Sequence, residues 1–263
     1  MSLRTKFTGL KEILAFDNRA WLAVTKILFP RERLHVYRYR GMQILTDHDA
    51  GDANGAREIL TSPMYRTFLP EMKFDGPANV LDLGGNNGGF PLLLNAEDIE
   101  LKKVVSVELN PQTFVRLHFN LHRNLACETE AVNAAVCGAN GKLNVRLGRG
   151  DVSDNIYSDH SGSTFESCDI DGFTFDEIFE KHFGDGSVDV CKIDIEGAEF
   201  DVFRSPHHQR LRNCRYLIME IHERSDRRAE EIIPVIEALG FSHQPTKLGG
   251  DPTVHFFIAN ARA

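Results

Sequence analysis

From residue 79 onward, short apolar segments alternate with amphipathic segments that have a helical period. The apolar segments are rich in Val, Ile and Leu and predict strands over residues 80–83, 104–108, 130–136, 188–193, 215–220, 241–244 and 254–258. The segments between them predict helices over residues 90–99, 113–125, 175–182, 199–204 and 229–239. This alternation is typical of a parallel sheet covered by helices on both faces. We therefore predict an α/β fold with a seven-stranded sheet.

The first 75 residues have a different pattern. Apolar spacing over residues 10–29 predicts one or two helices ending at Pro30, and residues 36–45 read as a hairpin. A further helical stretch, residues 56–72, is interrupted at Pro63. No linker follows. We expect an N-terminal helical and hairpin cap over residues 1–75 that leans on a main domain over residues 76–263.

One irregular region interrupts the main domain. Residues 143–147 predict a short strand, and the Gly-, Ser- and Asp-rich residues 148–172 read as a long loop. Loops of this length inside a compact domain usually bind something or move. We expect the specificity of any binding site to lie in this loop and in the cap.

Composition narrows the range of partners. The hydrophobic fraction of 42% is ordinary for a globular protein. The formal charge is −8, so we expect no nucleic-acid partner, although Arg31, Arg33, Arg38 and Arg40 form a local basic group. No apolar run approaches the roughly 20 residues of a membrane span, and the N-terminus does not resemble a cleavable signal, so we expect no membrane partner. Five cysteines without a C-x-x-C pair suit reduced thiols in a cytoplasm. Oligomeric state has no signature in the sequence.

The most informative segment is VLDLGGNNGGF, residues 80–90. An apolar strand runs through an acid into a glycine-rich turn that opens a helix. Glycines lack the side chains that would hold a ligand away from the backbone N–H groups. The turn therefore predicts a nucleotide-sized ligand site. The alternative is a tight strand-to-helix connection without a ligand.

Acidic residues and one histidine follow the other predicted strands. In an open α/β sheet, ligands bind beyond the carboxyl ends of the strands, which here carry Asp82, Glu108, Asp194, Glu196, Glu220 and His222. Glu108 is placed to accept the hydroxyls of a ribose. The dinucleotide fingerprint G-x-G-x-x-G fails at Asn86, and a ring of acids would repel a pyrophosphate but favour a sulfonium cation. These residues favour S-adenosylmethionine over a dinucleotide.

Four motifs carry a family resemblance. VLDLGGNNGGF, VVSVELNP, CKIDIEGAEFDVF and LIMEIH resemble those of the FkbM family of S-adenosylmethionine-dependent methyltransferases, over roughly residues 79–240. Gly85 departs from the family, which more often has alanine there. The resemblance implies a Rossmann-like class I methyltransferase fold and O-methylation of small molecules, including sugar and macrolide hydroxyls.

The resemblance also implies roles for individual residues. The turn would hold the amino-acid end of the cofactor, Asp82 would reach its ammonium group directly or through water, and Glu108 would bind the ribose. Leu109 and Asn110 would flank the adenine on one side, and the end of the third strand would flank it on the other. The implied cofactor-binding set is Asp82, Gly84, Gly85, Asn86, Asn87, Gly88, Glu108, Leu109, Asn110, Asn133 and Ala134.

Methyl transfer to a hydroxyl needs a group that takes the proton. Asp194, Glu196 and His222 are the catalytic candidates. His222 titrates near neutrality and is one candidate for the base, with Asp194 or Glu196 orienting it or the substrate, and the sequence does not decide which residue is the base. The structural alternatives are that Asp194 caps the helix after Gly197 and that His222 sits on a loop. A divalent cation held by Asp194 or Glu196 with Glu220 and His222 is a further hypothesis.

We thus expect an S-adenosylmethionine-dependent O-methyltransferase acting on a small molecule or sugar. Two alternatives stay open at this point. One is an NAD(P)-dependent oxidoreductase, and the other is a non-catalytic module that binds S-adenosylmethionine for regulation.

Overall fold

The computed structural model of the chain describes residues 12–29, 31–48, 50, 52, 55–148, 166–245 and 251–260. Its strands are β1 (Leu34–Tyr39), β2 (Met42–Asp47), β3 (Ala78–Leu83), β4 (Leu101–Glu108), β5 (Glu128–Asn133), β6 (Ala135–Val136), β7 (Gly141–Leu147), β8 (Glu166–Phe173), β9 (Val188–Ile193), β10 (Cys214–Glu220), β11 (Phe241–Gln244) and β12 (Val254–Ala259). Its α-helices are α1 (Arg19–Leu28), α2 (Ala56–Thr61), α3 (Gly89–Ala96), α4 (Pro111–Asn124), α5 (Phe175–Phe183), α6 (Glu199–Arg204) and α7 (Ala229–Ala238). Of the helices described, none combines the length and hydropathy of a membrane span.

The central sheet has seven strands in the order β11-β12-β10-β9-β3-β4-β5. Strands β10, β9, β3, β4 and β5 are parallel, whereas β12 runs antiparallel to both of its neighbours. This confirms the predicted seven-stranded α/β fold. The chain order reverses between β3 and β9, so the switch point of the sheet lies where these two strands end.

Helices cover both faces of the sheet. Alternate residues of β3 point to opposite sides, so Val80 and Leu81 belong to two separate apolar cores. Phe90 of α3 packs in the first core, and Phe200 of α6 packs in the second. Because both faces are buried, β3 reads as a nearly continuous apolar run.

The N-terminal elements share the first core. Tyr37, Ile44 and Phe68 lie in the same apolar cluster as Val80 of the sheet. The hairpin β1–β2 and the break of the 56–72 segment into α2 and a 3₁₀ helix, Arg66–Glu71, agree with the sequence prediction. The domain boundary near residue 75 stays a prediction.

Polar side chains of α4 fasten the hairpin to the main domain. The Asn120 amide accepts from the Leu45 N–H and donates to the Leu45 carbonyl, at 2.7 and 3.0 Å. Arg116 forms a bidentate ion pair with the fully buried Asp52, with N–O distances of 2.5 and 2.7 Å. These contacts satisfy polar groups that the interface buries.

Two predicted elements differ from the structure. The segment 130–136 splits into β5 and β6 because the chain leaves the sheet at Asn133, whose side-chain amide donates to two carbonyls of the neighbouring strand end. The predicted loop over residues 148–172 is wrong at its end, where β8 pairs antiparallel with β7. There, Cys168 and Ile170 alternate with Asp169 and Asp171, which is the pattern of a half-buried strand. Residues 149–165 of that loop lie outside the described residues.

We predict that Arg116→Met costs about 3–5 kcal/mol of the free energy of unfolding, because it leaves the Asp52 carboxylate buried without a counter-ion. Urea denaturation measures the loss. The matched control is Arg215→Met, whose ion pair with the exposed Asp75 should be worth less than about 1 kcal/mol. Equal losses in the two variants would show that the buried pair does not fasten the hairpin.

Candidate active site

The glycine turn between β3 and α3 is pressed against the end of β9. Gly84 and Gly88 have φ angles of 77° and 94°, and Asn86 has a φ of 45°. Left-handed backbone of this kind favours glycine. A Cβ atom at Gly84 would lie 1.6 Å from the Asp194 carbonyl oxygen. Position 84 therefore tolerates only glycine, and the turn and the end of β9 form one edge.

Lys192 joins this turn to the acids around it. Its buried ammonium group donates to the Gly84 carbonyl at 2.7 Å and lies 3.5 Å from Asp82 Oδ1 and 3.2 Å from Asp194 Oδ2. Burial alone would lower the pKa of Lys192, but the two carboxylates raise it above its ordinary value. The side chain is thus a fixed positive charge at the switch point.

Asp82 lies beneath the turn rather than in an open crevice. Its side chain is fully buried, and its Oδ2 accepts a hydrogen bond from Ser106 at 3.1 Å. Burial raises the pKa of Asp82, and the nearby Lys192 ammonium opposes that effect. Asp82 is a counter-ion of Lys192 in this structure, and its expected contact with a ligand ammonium group, directly or through water, stays a prediction.

Glu108 ends β4 beside the turn. Its Oε2 accepts from the Asn86 N–H at 2.9 Å, and its Oε1 accepts from the Asn110 N–H at 2.7 Å. Burial raises the pKa of Glu108 to about 7, although these two hydrogen bonds favour the ionised form. The carboxylate is held in one orientation. Asn110 also caps α4, because its Oδ1 accepts from the N–H groups of Gln112 and Thr113.

The remaining predicted cofactor residues lie around the same edge, but some side chains have structural partners. Asn87 is fully buried, and its Oδ1 accepts from the Ala56 N–H at 2.7 Å. Asn133 donates to the carbonyls of Glu108 and Leu109 at 2.8 and 2.9 Å. Ala134 is buried. The side chains of Asn87 and Asn133 thus hold the backbone on which the edge is built.

His222 lies among four carboxylates, which we call the carboxylate cluster: Asp194, Glu196, Glu199 and Glu220. Its Nδ1 is 3.1 Å from Glu199 Oε1, and its Nε2 is 3.4 to 3.9 Å from the other three. Burial alone would lower the pKa of His222, but the hydrogen bond to Glu199 and the surrounding charges raise it to about 9. The structure therefore brings together all three predicted catalytic residues.

The backbone at the cluster is unusual. Glu196 adopts a φ of 55° and is followed by Gly197 at 99°. A non-glycine residue in this region is uncommon and strained, and such strain recurs at functional sites as well as in turns. Burial, together with Asp194 and Glu220, raises the pKa of Glu196 to about 7. The alternative that Asp194 caps the following helix is not observed, since Ala198 is the N-cap of α6 and has no side-chain bond.

Sequence reasoning missed two supporting residues. Glu199 is fully buried and accepts from the Ile195 N–H as well as contacting His222. The Tyr65 hydroxyl donates to Asp194 Oδ2 at 3.2 Å, and burial followed by the Asp194 charge raises the pKa of Tyr65. Glu199 lies in the motif CKIDIEGAEFDVF but was assigned no role at the site, and Tyr65 is 129 positions away from Asp194 in the chain.

Three side chains could also hold a metal ion. One ligand atom each from Asp194, Glu220 and His222 lie within 4.8 Å of one another. Two carboxylates and an imidazole suit a divalent cation. The Lys192 ammonium already lies 3.2 Å from Asp194, so a cation here would compete with an existing positive charge.

Comparison with known proteins identifies the family. A sequence model of the methyltransferase FkbM domain matches residues 82–243. The chain belongs to the FkbM methyltransferase family. This confirms the resemblance drawn from the four motifs. Among curated proteins, no sequence relative of this FkbM-family chain was found.

One solved structure of an FkbM methyltransferase agrees with this chain in fold. Methyltransferase FkbM from Methylobacillus flagellatus KT is 15% identical with a TM-score of 0.50, covering 74% of this chain and 47% of its own. The chain thus spans about half the length of that protein. Aeropyrum pernix fibrillarin with bound S-adenosyl-L-methionine is 14% identical with a TM-score of 0.43, and the match covers 87% of this chain and 84% of fibrillarin. M. capricolum TrmK with S-adenosyl-homocysteine is 8% identical with a TM-score of 0.44, and the match covers 76% of this chain and 67% of TrmK.

We predict that the ligand-free FkbM-family protein loses stability as the pH rises from about 5 to about 9. The raised pKa values of Glu196 and His222, about 7 and about 9, mean that the folded state binds more protons than the unfolded state. The contribution of His222 is complete below its ordinary pKa of 6.5 and disappears as the pH passes about 9.

Urea unfolding of the wild type and of His222→Gln at about pH 6 and about pH 9 measures this effect. We expect the wild type to lose about 2 kcal/mol more than the variant over this range. The same loss in both proteins would contradict the placement of a protonated His222 in the cluster.

Proposed function

We propose that this protein is an S-adenosylmethionine-dependent methyltransferase that moves a methyl group to a hydroxyl of a small molecule or sugar. The observation that carries the proposal is the contact between the glycine turn and the carboxylate cluster through Lys192. A donor site and a group able to take a proton thereby share one edge of the sheet. Family membership supports the methyl-transfer chemistry.

The residues at the turn fit such a cofactor. Glu108 offers a fixed carboxylate for a ribose, and Gly84 and Gly88, whose left-handed backbone favours glycine, place no side chain in the turn. Beneath the turn, Asp82 Oδ1 and Asn87 Nδ2 are buried polar atoms without a hydrogen-bond partner among the described residues. When bound, S-adenosylmethionine supplies an electrophilic methyl group.

Residues of the neighbouring strand ends complete the proposed cofactor site. Leu109 and Asn110 follow Glu108, and Asn133 and Ala134 follow the adjacent strand β5. We assign the adenine to these four residues, as the family resemblance implies. The turn residues Gly84, Gly85, Asn86, Asn87 and Gly88 take the amino-acid end.

We assign the proton transfer to His222. Glu199 holds the Nδ1 side of the imidazole, which leaves Nε2 facing Asp194, Glu196 and Glu220. In the neutral imidazole, whose Nδ1–H donates to Glu199, Nε2 has the lone pair that takes the proton of the acceptor hydroxyl, while Asp194 and Glu196 orient that hydroxyl. A positive charge bound in the crevice would lower the pKa of His222 from about 9 toward neutrality and favour this role.

The charge of the site supports the proposed acceptor class. Four carboxylates surround His222, and the whole chain carries a formal charge of −8. A phosphate-rich acceptor would be repelled, whereas a neutral polyhydroxylated molecule could donate hydrogen bonds to the carboxylates. The sequence has five cysteines and no C-x-x-C pair, which supports the proposal of a cytoplasmic location.

The divalent-cation hypothesis remains a second candidate for the cluster. Asp194, Glu220 and His222 have ligand atoms close enough together, but Lys192 and the protonated imidazole already balance part of the negative charge. We favour a protonated His222 over a metal ion bound to this cluster. A chelator should then leave methyl transfer unchanged, and a loss that added magnesium restores would establish the metal instead.

We predict that Asp194→Asn lowers turnover roughly a hundredfold or more while sparing affinity for S-adenosylhomocysteine. The reason is that Asp194 faces the proton-accepting nitrogen, whereas the cofactor residues lie at other strand ends. Turnover is measured with labelled cofactor on the hydroxylated metabolite or glycan that gains one methyl in mass. The control Asp185→Asn changes a fully exposed acid and should be neutral. Full activity of Asp194→Asn would overturn the catalytic assignment.

We also predict that calorimetry detects binding of S-adenosylmethionine and not of NAD or NADP. Glu108→Ala should weaken cofactor binding by about 1.5–3 kcal/mol, through the loss of charge-assisted hydrogen bonds. Glu128→Gln, at the exposed start of β5, is the matched control. Binding of a nicotinamide cofactor alone would favour the oxidoreductase. Binding of S-adenosylmethionine without turnover on any acceptor would favour the regulatory module.

A further inference from the structure

Exposed apolar side chains are concentrated at one place in the described part of the chain. Eight of its ten exposed large hydrophobic residues lie between positions 14 and 36, although these positions form a small share of the sequence. Single exposed apolar residues are normal, but a contiguous group marks an interaction surface. The eight are Leu14, Trp21, Val24, Ile27, Leu28, Phe29, Leu34 and Val36.

Helix α1 supplies most of this group. Its inner side is buried through Leu22 and Thr25, as expected for a helix that packs on the core. Its outer side carries Trp21, Ile27 and Leu28, which are 62%, 77% and 63% exposed. A helix that is apolar on both sides is normally buried on both sides. The outer side of α1 is therefore suited to contact an apolar surface outside this protein's own core.

Strand β1 extends the same surface. At one end of α1, Asn18 donates to the Val36 carbonyl at 2.8 Å and accepts from the Arg38 N–H at 2.9 Å. At the other end, the Glu32 N–H donates to the Phe29 carbonyl at 3.1 Å as the chain turns into β1. We call the combined surface the outer face; it consists of Trp21, Val24, Ile27, Leu28, Phe29, Leu34 and Val36.

Positive charge surrounds the outer face. Between Asp17 and Arg40 the sequence has six basic residues and two acidic ones, in a chain whose formal charge is −8. Arg19, Arg31 and Arg38 are exposed. An apolar surface bordered by arginines matches an anionic bilayer, in which acyl chains accept the apolar groups and phosphates accept the guanidinium groups.

We propose that the outer face binds peripherally to an anionic lipid surface. The sequence-based expectation of no membrane partner rested on the lack of a spanning segment, and a surface-bound helix needs none. Apolar contact and charge each contribute, so binding requires both the outer face and acidic headgroups. The proposal does not depend on the chemistry of the active site.

Trp21 allows a direct test because it is the only tryptophan of the chain. The full-length protein is titrated with phosphatidylcholine vesicles that contain about a third phosphatidylglycerol, and with pure phosphatidylcholine vesicles. We expect the fluorescence of Trp21 to shift to the blue and the protein to sediment with the anionic vesicles only. High salt should release it, because screening weakens the arginine contacts.

Ile27→Asp should weaken vesicle binding about tenfold, since it removes an apolar side chain and adds a negative charge. The residue is exposed, so folding should be unaffected, and thermal unfolding checks this. Phe119→Asp, on α4, is the matched control at an exposed apolar site outside the outer face, and it should bind as the wild type does. The proposal is overturned if the wild type ignores anionic vesicles or binds neutral ones equally. It is also overturned if the blue shift arises without lipid as the protein dimerises.

Discussion

The buried ammonium group of Lys192 is the contact on which the site depends. It bonds to the carbonyl of Gly84 in the turn and compensates the carboxylates of Asp82 and Asp194. Without it, two acids would lie close together in a buried region, which is strongly unfavourable. Register places Lys192 directly beside Asp82, because β3 and β9 are adjacent parallel strands. The reversal of strand order therefore brings the charges together.

The carboxylate cluster depends on this arrangement in turn. Once Lys192 fixes Asp194, His222 can lie between acids from two elements and hold a proton at a raised pKa. Glu199 fixes the imidazole from a buried position on α6. The cluster therefore combines the fixed charge of Lys192 with groups that titrate, including Glu196 and His222. A fixed charge beside groups that change protonation near neutral pH suits acid–base chemistry.

The sequence predicted the sheet well because its strands are buried on both faces and its helices have clear periods. It placed the strand-end acids together because the carboxyl ends of parallel strands meet at one edge of the sheet. It failed for β8, whose Asp169 and Asp171 resemble loop composition. Contacts such as Tyr65 with Asp194 join distant parts of the chain and leave no local pattern.

We propose that the glycine turn and the carboxylate cluster form a single methyl-transfer site. The decisive measurement is a crystal structure of the protein with S-adenosylhomocysteine. We expect the ribose to lie on Glu108 and the sulfur to lie beside Asp194 and His222. Ligand density elsewhere on the protein, or a sulfur turned away from His222, would contradict it.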